Sequence, residues 1–374
     1  MTAATSGTPA VLVIGTGLIG TSLGLAARAA GYEVLLADTD PAHVALAVAA
    51  GAGTALAADR VQDLPPSIVV IAVPPSAAAD VAAVALADFP TSTVTDVSSV
   101  KAPVIARLAA AGADLSRFVG GHPMAGRETS GPAAATAELF RGRPWLLTPD
   151  AAVDADRVDQ VRRFAESTGA VVRLMPAEVH DRAVALTSHA PQVVSSVMAA
   201  RLADADPVLV AVAGQGLRDV TRIAASDPGL WSDILATNAV EVLPVVAGVQ
   251  HDLAEVADAL AEAVARARSS GAPIGSGGAR IAAVVAAGNR GAAALPAKHG
   301  GAAASYSEVL VEVPDEPGAL GELFLAAGHA GINLEDVRIE HTVGRLTAIA
   351  HLYVLPAAAE ALRLALHGRW PVLD

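Results

Sequence analysis

Three short segments of this 374-residue chain carry side chains whose type and spacing suit chemistry rather than packing. In Gly120-Gly121-His122-Pro123-Met124-Ala125-Gly126 a histidine stands among glycines and a proline at the end of a candidate strand, where an apolar helix face is excluded. An imidazole near its unperturbed pKa can take a proton from a ligand hydroxyl; a turn histidine bonded to backbone is the other reading. Thr95-Asp96-Val97-Ser98-Ser99-Val100-Lys101 ends another candidate strand. Its hydroxyls and ammonium either contact a ligand or cap the following helix, the commoner use of such residues. In the stretch from Gly216 to Ala224, Arg218 and Arg222 are four apart and share a helix face, so they can jointly hold a carboxylate. A surface ion pair with Asp219 is the alternative.

A fourth segment says what those groups would work beside. Gly15-Thr16-Gly17-Leu18-Ile19-Gly20 follows the apolar run VLVIG and opens the helical pattern SLGLAARAAG. In this turn the first glycine permits the bend, the second admits a pyrophosphate to the backbone, and the third lets helix and strand pack closely. The helix start adds free N–H groups and a partial positive charge. Asp38 follows the last glycine by 18 residues, at the end of a second candidate strand, where its carboxylate accepts a ribose 2′-hydroxyl and repels a 2′-phosphate. The expected cofactor is therefore NAD. A base beside it would take a hydroxyl proton as hydride leaves the same carbon.

The elements that must position these residues alternate. VLVIG, VLLAD, SIVVIAVP, STVTDVSS, FVGGHP, PWLLTP and AVVRLMP read as short buried strands separated by Ala-rich helices, which predicts an α/β Rossmann-type doubly wound sheet over residues 9–176. Residues 177–292 show long helical patterns, with Pro191 and Pro244 expected to kink or end helices, and predict an all-α second domain. A Gly/Ala-rich stretch from about Gly288, assigned as a linker over 293–305, precedes a βαββα order over 306–374, a small α/β-sandwich.

Composition narrows the classes. The formal net charge is −13, and the absence of a basic tract argues against nucleic acid. There is no cysteine, which removes disulfides, thiolate metal sites and a cysteine nucleophile together. The 53% hydrophobic content is mostly alanine and valine, and the longest uncharged apolar stretch is broken by prolines and shorter than the roughly 20 residues of a spanning helix. The opening residues lack the basic start of a secretory signal. The expectation is a soluble cytoplasmic protein with no membrane partner. No histidine pair has metal-ligand spacing, so no metal is expected.

The succession GTGLIG, DVSSVK, GGHPMAG, TSHAP and RDVTRIAASDPGLW resembles the bacterial prephenate dehydrogenase family over about residues 10–290, and LVEVPDEPGALGEL resembles an ACT domain, a ligand-sensing module. The resemblance implies an NAD-dependent oxidative decarboxylation of prephenate to 4-hydroxyphenylpyruvate, or of arogenate directly to tyrosine. His122 matches the family's catalytic histidine, which hydrogen-bonds the ring 4-hydroxyl. Ser99 matches a serine at the same hydroxyl and the nicotinamide. Arg222 matches the arginine that binds the ring carboxylate, and Arg218 stands where relatives often have lysine. Glu128 and Asp219 match acidic residues of an ion-pair network at the site entrance. Many relatives read S-H-L-P-H where this chain has Ser188-His189-Ala190-Pro191-Gln192; Gln192 carries no charge, which leaves prephenate against arogenate open. The implied cofactor contacts are Gly15, Thr16, Gly17, Leu18, Ile19, Gly20, Asp38, Val73, Pro74 and Ser98. The resemblance further implies a homodimer, and an aromatic amino-acid effector at Asp315, Pro317, Gly318, Ala319 and Leu320. The competing functional reading is a non-catalytic sensor of NAD or an amino acid.

Overall fold

The structure is a computed structural model that describes residues 9–57, 65–127, 129–270, 277–295, 306–341 and 346–373. It divides into two compact units, residues 1–250 and 251–374.

The first unit is built on an eight-stranded sheet in the order β3-β2-β1-β4-β5-β6-β7-β8. Its strands are β1 (Ala10–Ile14), β2 (Glu33–Ala37), β3 (Thr54–Ala55), β4 (Ile68–Ile71), β5 (Thr93–Asp96), β6 (Phe118–Pro123), β7 (Pro144–Pro149) and β8 (Val171–Leu174). The first six run parallel, β7 reverses against β6, and β8 runs parallel to β7. Helices α1 (Leu18–Ala29), α2 (Pro41–Ala49), α3 (Pro75–Asp88), α4 (Ala102–Ala110) and α5 (Ala155–Ser167) connect the strands. Helices on both faces explain why β1 is apolar throughout: Val11 and Val13 pack with Leu23 and Phe164 on one side, Leu12 with Ala78 and Leu108 on the other. Chain direction across the sheet switches between β1 and β4, and ligands of doubly wound folds enter the crevice beyond the carboxyl ends of the strands there.

After Pro176 the described chain is helical up to Leu295: α6 (Ala177–Val184), a wide π-type turn over Ala185–His189, α7 (Ala190–Ala200), α8 (Pro207–Val210), α9 (Gln215–Thr221), a 3-10 turn over Arg222–Ala224, α10 (Pro228–Thr237), α11 (Ala239–Ser270) and α12 (Gly277–Ala293). Both prolines of these helical patterns lie within helices. Pro191 falls in the first turn of α7, where its missing N–H costs nothing, and the chain stays helical through it. Pro244 lies inside α11, which runs on for 32 residues from Ala239 without ending at the proline. The expected linker is also shorter than its glycines suggest, because α12 continues through Gly288 and Gly291 to Ala293. Among the described residues no single helix is long and apolar enough to cross a membrane; α10 and α11 pass that test only jointly, across a 100° bend.

In the second unit, β9 (Ser307–Pro314), α13 (Ala319–His329), β10 (Asp336–His341), β11 (Thr347–Val354), α14 (Ala359–Leu366) and β12 (Val372–Leu373) make an antiparallel sheet in the order β10-β11-β9-β12. The βαββα reading therefore gains a two-residue closing strand, too short to carry a pattern. The βαββαβ order is that of a split βαβ sandwich. Val309, Val311, Val313, Ala350 and Leu352 face α13 and α14, giving the strict alternation seen in the sequence.

Candidate active site

The glycine turn has the shape its sequence predicts. Gly15 adopts φ +100°, and a Cβ there would stand 2.3 Å from the Ala72 carbonyl oxygen. A Cβ on Gly20 would lie 1.8 Å from the Gly15 oxygen, whereas one on Gly17 would meet nothing within 4 Å. Two glycines are thus fixed by packing and the middle one faces open space at the start of α1, the arrangement a pyrophosphate requires. Asp38, just after β2, accepts hydrogen bonds from the Thr16 N–H at 2.6 Å, the Thr16 hydroxyl at 2.9 Å and the Asp40 N–H at 2.9 Å. Burial pushes this carboxyl up, but those hydrogen bonds outweigh it and hold it below the ordinary aspartate value. Val73 follows β4 and packs against Gly15, and Pro74 precedes α3. The donor set fits NAD: free N–H groups at a helix start, space for phosphate at Gly17 and a carboxylate at the end of β2. Bound there, NAD+ would be held by Gly15–Gly20 and Asp38.

The ends of β5 and β6 are locked by a buried ion pair. Lys101 and Asp96 are 1% and 0% exposed and bond each other directly. The Lys101 ammonium also donates to the Gly121 carbonyl at 2.6 Å and to Ser98 Oγ at 3.1 Å, while Asp96 Oδ1 accepts the Gly121 N–H at 3.1 Å. Both polar backbone groups of the residue before His122 are therefore held by one pair. Burial depresses the Lys101 ammonium, and Asp96 opposes that shift. A Cβ on Gly121 would stand 2.6 Å from the Asp96 carbonyl, which is why the histidine follows a glycine. The Lys101 side chain is accordingly committed to this cluster and does not cap α4.

The two serines of this segment separate. Ser98 is buried, its hydroxyl bonded to Asp96, to the Val100 carbonyl at 3.1 Å and to Lys101, so its single hydrogen is already committed. Ser99 is half-buried, and its hydroxyl has no hydrogen bond among the described residues.

His122, on β6, is half-buried, and its Nδ1 lies 2.8 Å from His180 Nε2. His180 Nδ1 lies 2.8 Å from Asp181 Oδ1. Asp181 in turn accepts the Lys101 and Ala102 N–H groups, each at 2.8 Å, and so caps α4 in place of a local side chain. Desolvation first, then the nearby His180, Lys101 and His189, push the His122 imidazole well below the ordinary histidine value and keep it neutral at neutral pH. His180 and Asp181 were not singled out by sequence reasoning. Their signal was a His-Asp pair, both buried, in the first helix after Pro176.

His189 is buried, with its ring edge toward Trp231 at 6.1 Å between centroids. Asn238 Nδ2 donates to the Asp181 carbonyl and to His189 Nδ1, both at 3.0 Å. With Nδ1 accepting, the proton of neutral His189 sits on Nε2, making this ring a donor. Burial, against Asp181 and with His180, takes its pKa down to about 4. Gln192 is buried on α7 and donates to Ser196 Oγ at 3.3 Å; Ser188 is half-buried in the wide turn.

Arg218, Asp219 and Arg222 are exposed. Asp219 accepts from Gln215 at 2.9 Å, one turn back. The Arg218 side chain has no hydrogen bond or ion pair among the described residues. α9 ends at Thr221, so Arg222 opens the 3-10 turn rather than continuing the helix, and both segments pack on α7. Glu128 lies outside the described residues. No cluster able to hold a metal occurs among the described residues.

Sheet order, glycine turn and strand-end histidine define an NAD-dependent oxidoreductase of the doubly wound class. Profiles for the prephenate dehydrogenase nucleotide-binding domain and the prephenate dehydrogenase dimerization domain match residues 23–174 and 176–268. The chain is 34% identical to a probable prephenate dehydrogenase, NovF, of Streptomyces niveus over 96% of its own length and 98% of the relative's. It is 38% identical to a cyclohexadienyl dehydrogenase of Zymomonas mobilis over 45% of this chain and 58% of that one. Among solved structures it is similar to a prephenate dehydrogenase of Aquifex aeolicus in complex with hydroxyphenyl propionate and NAD+, at TM-score 0.61 and 30% identity, covering 69% of this chain and 93% of that chain. An arogenate dehydrogenase of Synechocystis gives TM-score 0.56 and 26% identity, over 68% and 92%. The chain belongs to the prephenate dehydrogenase family.

Proposed function

We propose that this enzyme converts prephenate to 4-hydroxyphenylpyruvate and CO2. The observation that carries the reading is His122, mounted at the end of β6 with its Nδ1 held by His180 and its imidazole pushed well below the ordinary histidine value by burial. NAD+, held by Gly15–Gly20 and Asp38, would supply the acceptor for the hydride that leaves the ring carbon bearing the 4-hydroxyl. His122 takes the hydroxyl proton, the forming carbonyl draws electrons from the C–CO2 bond, and the ring becomes aromatic. His122 then returns its proton to the phenolate oxygen, so the step balances without net proton release. Ser99 hydrogen-bonds the same oxygen. Arg222, with Arg218, orients the ring carboxylate without over-stabilising it, since uniform ground-state binding would not raise the rate. His189 and Ser188 contact the substrate, His189 through its Nε2–H. Asp219 serves as an acid at the entrance to the site.

A second reading, arogenate giving tyrosine, is favoured by one feature, the uncharged and buried Gln192. NADH formation with prephenate and arogenate in parallel decides between them. Turnover of neither, with NAD+ bound, leaves the sensor reading.

The enzyme works as a homodimer, a reading supported by the dimerization profile over residues 176–268 and by exposed Val240, Leu243, Leu253, Leu260 and Val264 along α11. Residues 306–373 act as an ACT domain taking an aromatic amino acid, tyrosine first. Support comes from the βαββαβ order and the left-handed Gly318 in the turn from Asp315 through Pro317 to Ala319 and Leu320. Unchanged kinetics with tyrosine and phenylalanine would leave this unit an assembly role alone.

A further inference from the structure

We infer that His180 and Asp181 set the tautomer of His122, so that its Nε2 lone pair, and not an N–H, is presented for proton abstraction. The inference rests on His122 being the base proposed above, but its geometry stands alone. A carboxylate only accepts hydrogen bonds, and Asp181 is fixed by two backbone N–H groups at the start of α4. His180 Nδ1, at 2.8 Å from that carboxylate, must therefore be the donor. A neutral imidazole has one N–H, so His180 Nε2 is left as an acceptor. Its partner at 2.8 Å is His122 Nδ1, which must then carry the hydrogen. The remaining ring nitrogen of His122 is bare.

The same steps fix the opposite tautomer for His189, where the amide of Asn238 supplies the hydrogen to Nδ1. Two histidines thus present opposite faces, one a base and one a donor. His180 is fully buried between Asp181 and His122, and Asp181 is held at the same time by the two backbone N–H groups that open α4. His180 and Asp181 are positioning residues; they act through His122.

The test is ring-nitrogen NMR on full-length protein labelled with 15N-histidine, with the His122 signals assigned by loss in His122→Gln. Wild type is expected to show His122 protonated at Nδ1 with a bare Nε2, without substrate or cofactor present. Asp181→Asn offers His180 an amide N–H, reverses the chain of donors and should move the proton of His122 to Nε2. His180→Phe keeps the packing and removes the acceptor, so the bias at His122 is lost. In both variants kcat should fall about 10²-fold, the lower range of general-base contributions, while KM for NAD+ is unchanged. A wild-type His122 protonated at Nε2, or a doubly protonated His180, overturns the inference. So does kcat within twofold of wild type in a folded His180→Phe enzyme. If the substrate assignment fails instead, the NMR result still stands, so the two failures are distinguishable.

Discussion

The strand-borne and helix-borne halves of the site differ in how their polar groups are satisfied. At the ends of β5 and β6 the charged groups are tied down: Lys101, Asp96 and Ser98 bond one another, Lys101 and Asp96 also bond the backbone of Gly121, and His122 is backed by His180 and Asp181. Across α9 and the turn after it, Arg218, Asp219 and Arg222 are exposed, and the nearest partner of Asp219 is its own helix. The contrast teaches that the proposed base, whose atoms must be placed to a fraction of an ångström, sits on a buried, ion-paired strand end. The arginines proposed to hold the ring carboxylate stand on exposed positions instead.

The contrast can be broken from either side. The largest effect is expected from His122→Asn, which should lower kcat by about 10²–10⁴-fold, the typical range for general-base catalysis, while NAD+ titration by fluorescence is unaffected. Near-normal turnover would remove His122 from the mechanism. Lys101→Met leaves Asp96 buried and unpaired and should cost about 3–5 kcal/mol of folding stability in urea denaturation. Adding Asp96→Leu should recover much of that loss; no recovery would mean that the pair matters only for the backbone of Gly121. On the exposed side, Arg222→Ala should raise KM for prephenate about 10- to 100-fold, as expected for loss of a hydrogen bond to a charged group, with NAD+ titration unaffected. An unchanged KM would take Arg222 out of the substrate site. The smallest effect is in pH. Histidines held neutral by burial bind no proton in the folded state where the unfolded chain does, so stability is intact above the ordinary value of 6.5 and declines as pH falls toward about 4, where His189 titrates. kcat/KM should stay flat from neutral pH down through 6.5 for the same reason at His122.

What the sequence made legible follows the same division. Gly15, Gly17, Gly20 and Asp38 were readable because a turn and a strand end obey local spacing, and runs such as those of β1, β4 and β5 became strands because burial on two faces writes a continuous pattern. His180 and Asp181 were not, because their role arises from a contact with a strand 58 residues away. Nor did spacing separate Ser98 from Ser99; only the fold shows that one hydroxyl is committed and its neighbour is not. The arginines were identified by residue type and resemblance, yet their helix stops between them, since a seven-residue helix has little to hold its last turn.

The wide turn over Ala185–His189 has a consequence for how this gene can vary. Nine residues of regular helix carry a side chain through about two and a half turns, so His189 would point away from His180 on an unbroken α-helix. A π-type turn inserts about one extra residue and rotates everything downstream by roughly 100°. That phase change brings His189 round to Asn238 and sets the facing of Gln192 on α7. The segment should therefore absorb point substitutions far better than a single-codon deletion, which would straighten the helix, leave its composition intact and misalign each side chain beyond it.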